Sequence, residues 1–299
     1  MTLRWRGLRD ESLERLRSAG VDGAEQELRW IVERASDLTA PEQTAVLDEP
    51  VSERQARRVD EMVLRRSRGE PLQYVLGRWG FRTLDLLVDS RVLIPRPETE
   101  VVAGLAIDAL AVLGRPGVAV DLGTGSGAIA LSLAAERWPE LEVWATDASP
   151  DALGVARANL AGLGRRAAVV RLLEGDWFAA LPADLRGRVD VLVSNPPYVA
   201  SSDPLPAQVR DWEPRDALVS GPTGLEAIEH IVAGAPRWLT AGGVLVVEIG
   251  EDHGAAVARV ARGAGFDDVA IHQDLAGRDR AVVASAVVAR GGRARGGDA

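Results

Sequence analysis

Apolar residues recur at helical spacing through the first part of the chain. In residues 1–67 they fall three or four positions apart, as at Leu28 and Ile31, and this spacing predicts amphipathic helices. Ser52 and Gln55 resemble a capping box at the start of one of these helices. We therefore predict a small N-terminal helical domain over residues 1–67.

Glycine and proline interrupt the pattern over the next thirty or so residues. Gly69, Pro71, Gly77 and Gly80 separate short apolar and aromatic pieces. Short pieces bounded by such residues are typical of hairpins and connections. We predict a hairpin or linker over residues 68–96.

Short apolar runs then alternate with helical patterns. The expected strands are 117–122, 141–146, 167–173, 188–194, 243–249, 266–274 and 280–289, and the expected helices are 97–113, 127–137, 149–163, 224–239 and 251–264. Strands separated by helices indicate an α/β fold with a doubly wound, mainly parallel sheet, here of seven strands. We assign this domain to residues 97–290 and expect the glycine-rich tail 291–299 to be disordered.

Composition excludes several kinds of chemistry. The chain of 299 residues has no cysteine, so disulfides, thiolate zinc sites and cysteine nucleophiles are ruled out. Its basic residues are all arginine, which removes lysine Schiff bases and the phosphate-loop lysine. The three histidines lack metal-ligand spacing, and we expect no metal site.

Charge and hydropathy suggest the setting in which the protein works. A formal net charge of −9 argues against a broad nucleic-acid surface, so we expect no direct nucleic-acid partner. No apolar run approaches membrane-spanning length. We expect a cytoplasmic protein that has no membrane contact and is a monomer.

A glycine-rich loop follows the first strand of the α/β domain. It comprises Gly123, Thr124, Gly125, Ser126 and Gly127. Glycines let the backbone turn sharply and bring N–H groups close to a ligand at a helix N-terminus, which favours negative charge. Asp147, at the end of the next strand, is placed to hold both hydroxyls of a ribose. Together they predict a nucleoside cofactor.

The loop alone leaves two cofactors open, because Gly123, Gly125 and Ala128 also satisfy the permissive dinucleotide fingerprint. The acid Asp121 before the loop and the additional Gly127 favour S-adenosylmethionine, whose methionine carboxylate would then meet the helix N-terminus. Asn195, at a later strand end, favours the same cofactor.

The dipeptide Asp176-Trp177 follows the third strand of this domain. It offers an acceptor for the adenine amino group and an aromatic face for the ring. A surface acid beside a packing tryptophan is the alternative interpretation.

The tetrapeptide Asn195-Pro196-Pro197-Tyr198 directly follows an apolar run. Residues that precede proline are steered toward extended backbone, so the tetrapeptide is stiff. The Asn195 side-chain oxygen and the Pro196 carbonyl could each accept one N–H of a bound –NH2 group, while Tyr198 stacks on the flat group that carries it. We therefore predict Asn195, Pro196 and Tyr198 as catalytic residues, and Asn195 through Tyr198 as the substrate site of an amino-group methyltransferase. A simple turn is the alternative.

With these pieces in place, the sequence resembles the release factor glutamine methyltransferases, which have class I methyltransferase folds. The resemblance covers most of the chain and rests on the segments Gly69 to Tyr74, Val92 to Glu100, Asp121 to Gly127, Gly175 to Trp177, Asn195 to Tyr198, Trp212 to Pro214 and Asp274 to Arg280. Residues 199–203 depart from the forms associated with the family.

This resemblance implies methylation by S-adenosylmethionine of the glutamine side-chain amide in the Gly-Gly-Gln motif of class I peptide chain release factors. It implies cofactor contacts for residues 123–127, Asp147, Trp177 and Asn195, and a role for the N-terminal domain in docking the release factor. Within residues 94–100, two prolines and two acids are typical of a well-formed helix start, and we expect this loop to border the cofactor.

Other functions stay open on the residues alone. A DNA or RNA methyltransferase acting on an exocyclic base amine also uses an Asn-Pro-Pro-aromatic type of site. Another protein could present the glutamine. The glycine loop and Asp147 also allow a nicotinamide-dependent oxidoreductase, although a chain without lysine lacks the Tyr-xxx-Lys pair. A non-catalytic binding protein is disfavoured because both the loop and the tetrapeptide are intact.

Overall fold

The structure is a computed structural model that describes residues 3–286, so the predicted tail 291–299 lies outside the described residues. The chain divides into two compact units. The first contains the N-terminal part through Trp79 together with Leu87–Ser90 and Leu205–Glu213. The second contains Gly80–Leu86, Arg91–Pro204 and the chain from Pro214 onward.

The first unit is helical. Its helices are α1 (Trp5–Ser18), α2 (Ala24–Ser36), α3 (Ala40–Ala45), α4 (Glu53–Ser67), α5 (Leu72–Leu76) and, from a later part of the chain, α9 (Ala207–Trp212). Leu16, Ile31 and Val63 are fully buried in its apolar core, which agrees with the helical spacing in the sequence. The predicted capping box begins α4, where the Ser52 hydroxyl accepts a hydrogen bond from the Gln55 N–H.

The segment predicted as a hairpin or linker contains α5 and a two-stranded sheet. The strands are β1 (Arg78–Phe81) and β2 (Leu84–Leu87). Gly77 ends α5 with a φ of 70°, a left-handed conformation in which glycine carries no steric cost.

The second unit is a seven-stranded sheet flanked by helices. Its strands are β3 (Gly117–Leu122), β4 (Leu141–Asp147), β5 (Val170–Glu174), β6 (Val189–Ser194), β7 (Leu239–Glu248), β8 (Phe266–Gln273) and β9 (Asp279–Ala286). Its helices are α6 (Pro97–Ala111), α7 (Ala128–Arg137), α8 (Pro150–Ala161), α10 (Glu226–Gly234) and α11 (Gly254–Gly263). The strand order is β5-β4-β3-β6-β7-β9-β8, and β9 runs antiparallel to both β7 and β8, whereas the other pairings are parallel. The doubly wound, mainly parallel fold is confirmed.

Side chains alternate between two apolar cores, one on each face of the sheet. Along β6, Val191 and Val193 belong to the core that includes α6 and α7, whereas Leu192 belongs to the core that includes α10 and α11. All six residues of β6 are buried, as expected for a central strand with helices on both faces. The apolar runs in the sequence therefore correspond to strands without a solvent-facing side.

Several boundaries differ from the predicted ones, and the two largest differences lie around β7. The helix predicted over 224–239 ends at Gly234, and a 3-10 turn, Ala235–Arg237, follows because Pro236 lacks the N–H that would continue the helix. Strand β7 begins at Leu239 rather than 243, since Leu239 pairs with Val189 ahead of an irregularity in register.

The order of the strands reverses between β3 and β6. The chain runs from β3 outward to β5 and then returns to place β6 on the other side of β3. The two strands end together, because Leu122 pairs with Ser194 and the Ser194 hydroxyl donates a 2.6 Å hydrogen bond to the Leu122 carbonyl. Ligands of open α/β sheets bind at such a switch point, beyond the carboxyl ends of the strands.

None of the helices within residues 3–286 is long and apolar enough to cross a membrane.

Candidate active site

A cavity of about 450 Å³ lies beyond the carboxyl ends of β3, β4, β5 and β6. Most of the predicted site residues line it: Gly123, Thr124, Gly125, Ser126, Asp147, Trp177, Asn195 and Pro197. Gly127, Pro196 and Tyr198 are not among the lining residues. The topology explains the grouping, since each of these predicted residues lies at the end of a parallel strand or in the loop that leaves it, at the same edge of the sheet.

The glycine loop makes a tight turn between β3 and α7. Gly123, Gly125 and Gly127 all have positive φ, at 73°, 56° and 85°. The N–H groups of Gly123 and Thr124 both donate to the Thr146 carbonyl at 2.9 Å. These two donors therefore attach the loop to the end of β4 instead of facing the cavity.

Asp147 connects the loop to the next helix. One carboxylate oxygen accepts the Gly125 N–H at 2.8 Å and the other accepts the Ser149 N–H at 2.9 Å. Burial raises the pKa of Asp147, and these two hydrogen bonds oppose that shift. The side chain lines the cavity while it also holds the glycine loop in place.

Asp121 lies beneath the loop and does not line the cavity. Its Oδ2 accepts the Thr124 hydroxyl at 2.7 Å and the Ala130 N–H at 3.1 Å, whereas its buried Oδ1 has no partner. Burial raises the pKa of Asp121 to about 7, and the nearby Asp147 adds to the rise. In this geometry Asp121 joins β3, the loop and α7.

Trp177 packs directly on the glycine loop. A Cβ atom at Gly123 would lie 3.3 Å from the indole ring, so the ring and a side chain at that position compete for the same space. Trp177 itself has a φ of 43°, an uncommon conformation for a bulky residue and one often found at functional sites. Asp176 lines the cavity beside it.

The tetrapeptide after β6 forms another part of the wall. The Asn195 side-chain N–H donates to the Thr99 hydroxyl at 3.1 Å, which leaves the Asn195 side-chain oxygen available. Pro197 lines the cavity, Pro196 is buried, and Tyr198 packs against the apolar core on the α10 side. Burial and the charge of Glu248 raise the pKa of Tyr198 to about 12, so its hydroxyl stays protonated.

The loop before α6 borders the cavity. Pro95 and Thr99 both line it, in the segment expected to border a cofactor, together with Arg91, Val92 and Leu93 from the residues ahead of it. Pro97 occupies the first helical position of α6, where its missing N–H costs nothing. The proline-rich segment thus places Thr99 in the first turn of α6, facing the tetrapeptide.

The sequence reasoning did not identify Thr99, Glu248 or the wall residues Pro214, Asp216 and Ala217. Glu248 ends the apolar strand β7 and is 1% exposed. An acid that closes such an apolar run was a visible signal, since acids are almost never fully buried without a partner. Thr99 lies in the 94–100 loop that was expected to border the cofactor, and Pro214 ends a segment that carries the resemblance, but no local signal singled out the Thr99 side chain or residues 215–217.

Comparisons with known proteins give matches in both parts of the chain. A family model described as the PrmC N-terminal domain matches residues 8–77, and one described as the methyltransferase small domain matches residues 103–209. The chain is 46% identical to the release factor glutamine methyltransferase of Xylella fastidiosa (strain 9a5c), over 79% of this chain and 84% of that protein. It is 44% identical to that of Moorella thermoacetica, over 92% of this chain and 95% of the relative.

A solved structure shows the same fold. The methyltransferase from Pyrococcus furiosus superimposes with a TM-score of 0.50 at 19% identity, covering 80% of this chain and 100% of that chain.

Proposed function

Because this chain belongs to the release factor glutamine methyltransferase family, we propose that it methylates the side-chain amide nitrogen of the glutamine in the Gly-Gly-Gln motif of class I peptide chain release factors, with S-adenosylmethionine as the methyl donor. One observation carries the proposal. Asn195 and the glycine loop leave adjacent parallel strands and line one cavity, with the Asn195 side-chain oxygen available.

The cavity residues fit S-adenosylmethionine. Asp147 provides a carboxylate for the two ribose hydroxyls, and Trp177 provides an aromatic face for the adenine. Gly125 has open space where a side chain would project, so the loop leaves room for a ligand. When bound, S-adenosylmethionine supplies an electrophilic methyl group on its sulfonium.

The substrate amide is held by acceptors. The Asn195 side-chain oxygen and the Pro196 carbonyl each accept one N–H of the glutamine –NH2 group, and Tyr198 limits how the amide plane can tilt. The nitrogen lone pair of an amide is delocalised and reacts poorly, so correct placement supplies much of the rate. As the nitrogen gains positive charge, both acceptors bind its hydrogens more strongly, which stabilises the transition state. The methylated nitrogen is then acidic and releases its proton to water.

Family membership also favours methyl transfer over the nicotinamide-dependent alternative. The nucleic-acid alternative shares the same acceptor geometry and is decided by experiment. We propose the release factor as the partner, the protein as a monomer and the N-terminal helical domain over residues 1–67 as the docking domain.

The test is mass spectrometry of a Gly-Gly-Gln peptide or an intact class I release factor after incubation with enzyme and S-adenosylmethionine. We expect one added methyl group on the glutamine. Labelled methyl groups appearing only in parallel DNA or RNA samples would instead support the nucleic-acid alternative, and no labelling of the release factor would overturn the proposal.

Asn195→Ala tests the amide site. We expect turnover to fall by about a hundredfold or more, because one of two acceptors in a buried site is lost, while cofactor affinity changes far less. Gln273→Ala, which removes an exposed amide from the edge strand β8, is the matched control and should keep wild-type turnover. Near-normal turnover of Asn195→Ala would remove Asn195 from its role.

A further inference from the structure

Asn195 is held by a buried polar group that the sequence did not point to. Its side-chain nitrogen donates to Thr99, which is 4% exposed in the first turn of α6. Thr99 in turn faces the carboxyl group of Glu248, the last residue of β7. Asn195 and Glu248 directly follow Ser194 and Val247, which pair on the neighbouring parallel strands β6 and β7, so both residues lie at the same edge of the sheet.

The direction of these hydrogen bonds follows from the chemistry of the groups. An ionised carboxylate only accepts, so the single hydroxyl proton of Thr99 points to Glu248. The Thr99 oxygen can then only accept, and it does so from the Asn195 nitrogen at 3.1 Å. The Asn195 oxygen therefore faces away from Thr99, and Asn195 itself lines the cavity.

The donor and acceptor roles along Glu248, Thr99 and Asn195 reverse when Glu248 carries a proton. A neutral carboxyl can donate to the Thr99 oxygen, and the Thr99 hydroxyl can then donate to an Asn195 amide turned the other way. In that arrangement Asn195 presents its –NH2 group, which cannot accept from a glutamine amide. The charge of Glu248 thus selects which atom of Asn195 faces the substrate.

Glu248 also contacts the other end of the tetrapeptide. The Tyr198 hydroxyl faces the same carboxyl group as a donor. The charge of Arg280 favours the ionised form of Glu248, whereas Glu98 and burial oppose it. Oε2 of Glu248 is buried without a partner in the described structure. A buried and incompletely satisfied acid is costly, which calls for a functional reason.

We propose that Glu248 is a positioning residue that acts through Thr99 to fix the Asn195 amide with its oxygen toward the substrate, and that its contact with Tyr198 aligns the other end of the same tetrapeptide. The inference rests on the proposed function, because it assigns Asn195 the role of accepting the glutamine amide. In this arrangement the proline-rich start of α6, within residues 94–100, positions Thr99 beside Asn195.

The test compares kinetics of Thr99→Val and Thr99→Ser on a Gly-Gly-Gln peptide. We expect Thr99→Val to lower kcat by roughly 10- to 100-fold, since the Asn195 nitrogen loses its acceptor and Glu248 loses a donor. The KM for the peptide should change less than kcat, because contacts to the peptide backbone are not altered. The affinity for S-adenosylmethionine is measured alongside, since Thr99 lines the cavity. Thr99→Ser keeps the hydroxyl and should restore most of the turnover.

Thr240→Val is the matched control, because it makes the same exchange near the opposite end of β7, where Thr240 faces Asp190. It should keep wild-type kcat. Glu248→Gln keeps the size of the side chain and decides the question if Thr99→Val does not fold, and we expect its kcat to fall about tenfold or more.

The outcomes separate the two claims. If the wild-type protein does not methylate the glutamine, the proposed function fails. If the wild type is active and Thr99→Val or Glu248→Gln, folded and binding cofactor normally, keeps wild-type kcat, this inference is overturned while the proposed function stands. A loss in Thr99→Val that Thr99→Ser does not restore would also overturn it.

Discussion

Removal of the Asp147 carboxylate should weaken cofactor binding more than any other single change in the loop after β4. In Asp147→Ala the proposed partner of both ribose hydroxyls is lost. The backbone N–H groups of Gly125 and Ser149 also lose acceptors that lie at 2.8 and 2.9 Å. The variant therefore disturbs the ligand contact and the shape of the loop together.

The expected magnitude follows from these contacts. A hydrogen bond to a charged group contributes about 1.5–3 kcal/mol. Because the carboxylate oxygens of Asp147 already accept backbone N–H groups, we take the lower value for each of the two ribose contacts, which gives a loss of about 3 kcal/mol in binding free energy. This corresponds to a rise in Kd on the order of 100-fold. Asp147→Asn retains one oxygen acceptor and loses the charge, and its Kd should rise about tenfold.

Isothermal titration calorimetry with S-adenosylmethionine measures the effect. Asp151→Ala is the matched control, because Asp151 is an exposed acid in the first turn of α8 and does not line the cavity. Thermal unfolding of the ligand-free variants separates a distorted loop from a lost ligand contact. A Kd for Asp147→Ala within about threefold of the wild-type value would refute the assignment of Asp147 to the ribose.

Three further predictions concern Glu248, which is buried, and the glycine loop. Burial raises the pKa of Glu248 to about 7, and the proposed mechanism requires its ionised form, so kcat should fall about tenfold per pH unit below pH 7. Glu248→Gln should have a lower kcat and no inflection near pH 7. The same inflection in the pH profile of Glu248→Gln would contradict the role of Glu248. The free energy of unfolding should fall as pH rises, whereas kcat rises, because a carboxyl group whose pKa is raised on folding binds its proton more tightly in the folded state. This contribution to stability is lost between about pH 4.5 and about pH 7. Denaturation of Glu248→Gln across the same pH range should not show this loss. Gly127→Ala should lower the free energy of unfolding by about 1–3 kcal/mol, because φ is 85° and the new Cβ would lie 3.0 Å from a leucine side chain. Gly125 has a φ of 56°, but a Cβ added there would have no other atom within 4 Å, so Gly125→Ala should lower the free energy of unfolding by only about 1 kcal/mol. Equal losses for the two variants in denaturant unfolding would show that the contact with the leucine side chain does not cause the effect of Gly127→Ala.

The local parts of the site were accessible from sequence because their signals lie within a few residues. The loop from Gly123 to Gly127 needs positive φ at three positions, and glycine adopts that conformation without strain. The tetrapeptide from Asn195 is stiffened by its own prolines. Both follow strands of the predicted parallel sheet, and in the structure those strands end at the same edge.

Contacts between distant segments were not accessible in this way. Asn195 and Thr99 are 96 positions apart, and their hydrogen bond depends on how α6 packs against the sheet. The N–H groups of Gly123 and Thr124 were expected to face a ligand, yet they donate to Thr146 on β4. These hydrogen-bond partners depend on the register of neighbouring strands and on how helices pack against the sheet, and a short sequence pattern specifies neither.

By itself the sequence determined the fold class, the glycine turn and the stiff tetrapeptide after β6, because backbone conformation and hydrophobic periodicity are properties of short segments. Only the tertiary structure decided that Glu248, buried at the end of β7, faces Thr99 and thereby sets the orientation of Asn195. Burial in a core built from distant strands and helices gives that carboxyl its raised pKa and restricts its partners, and such an environment exists only once the chain has folded.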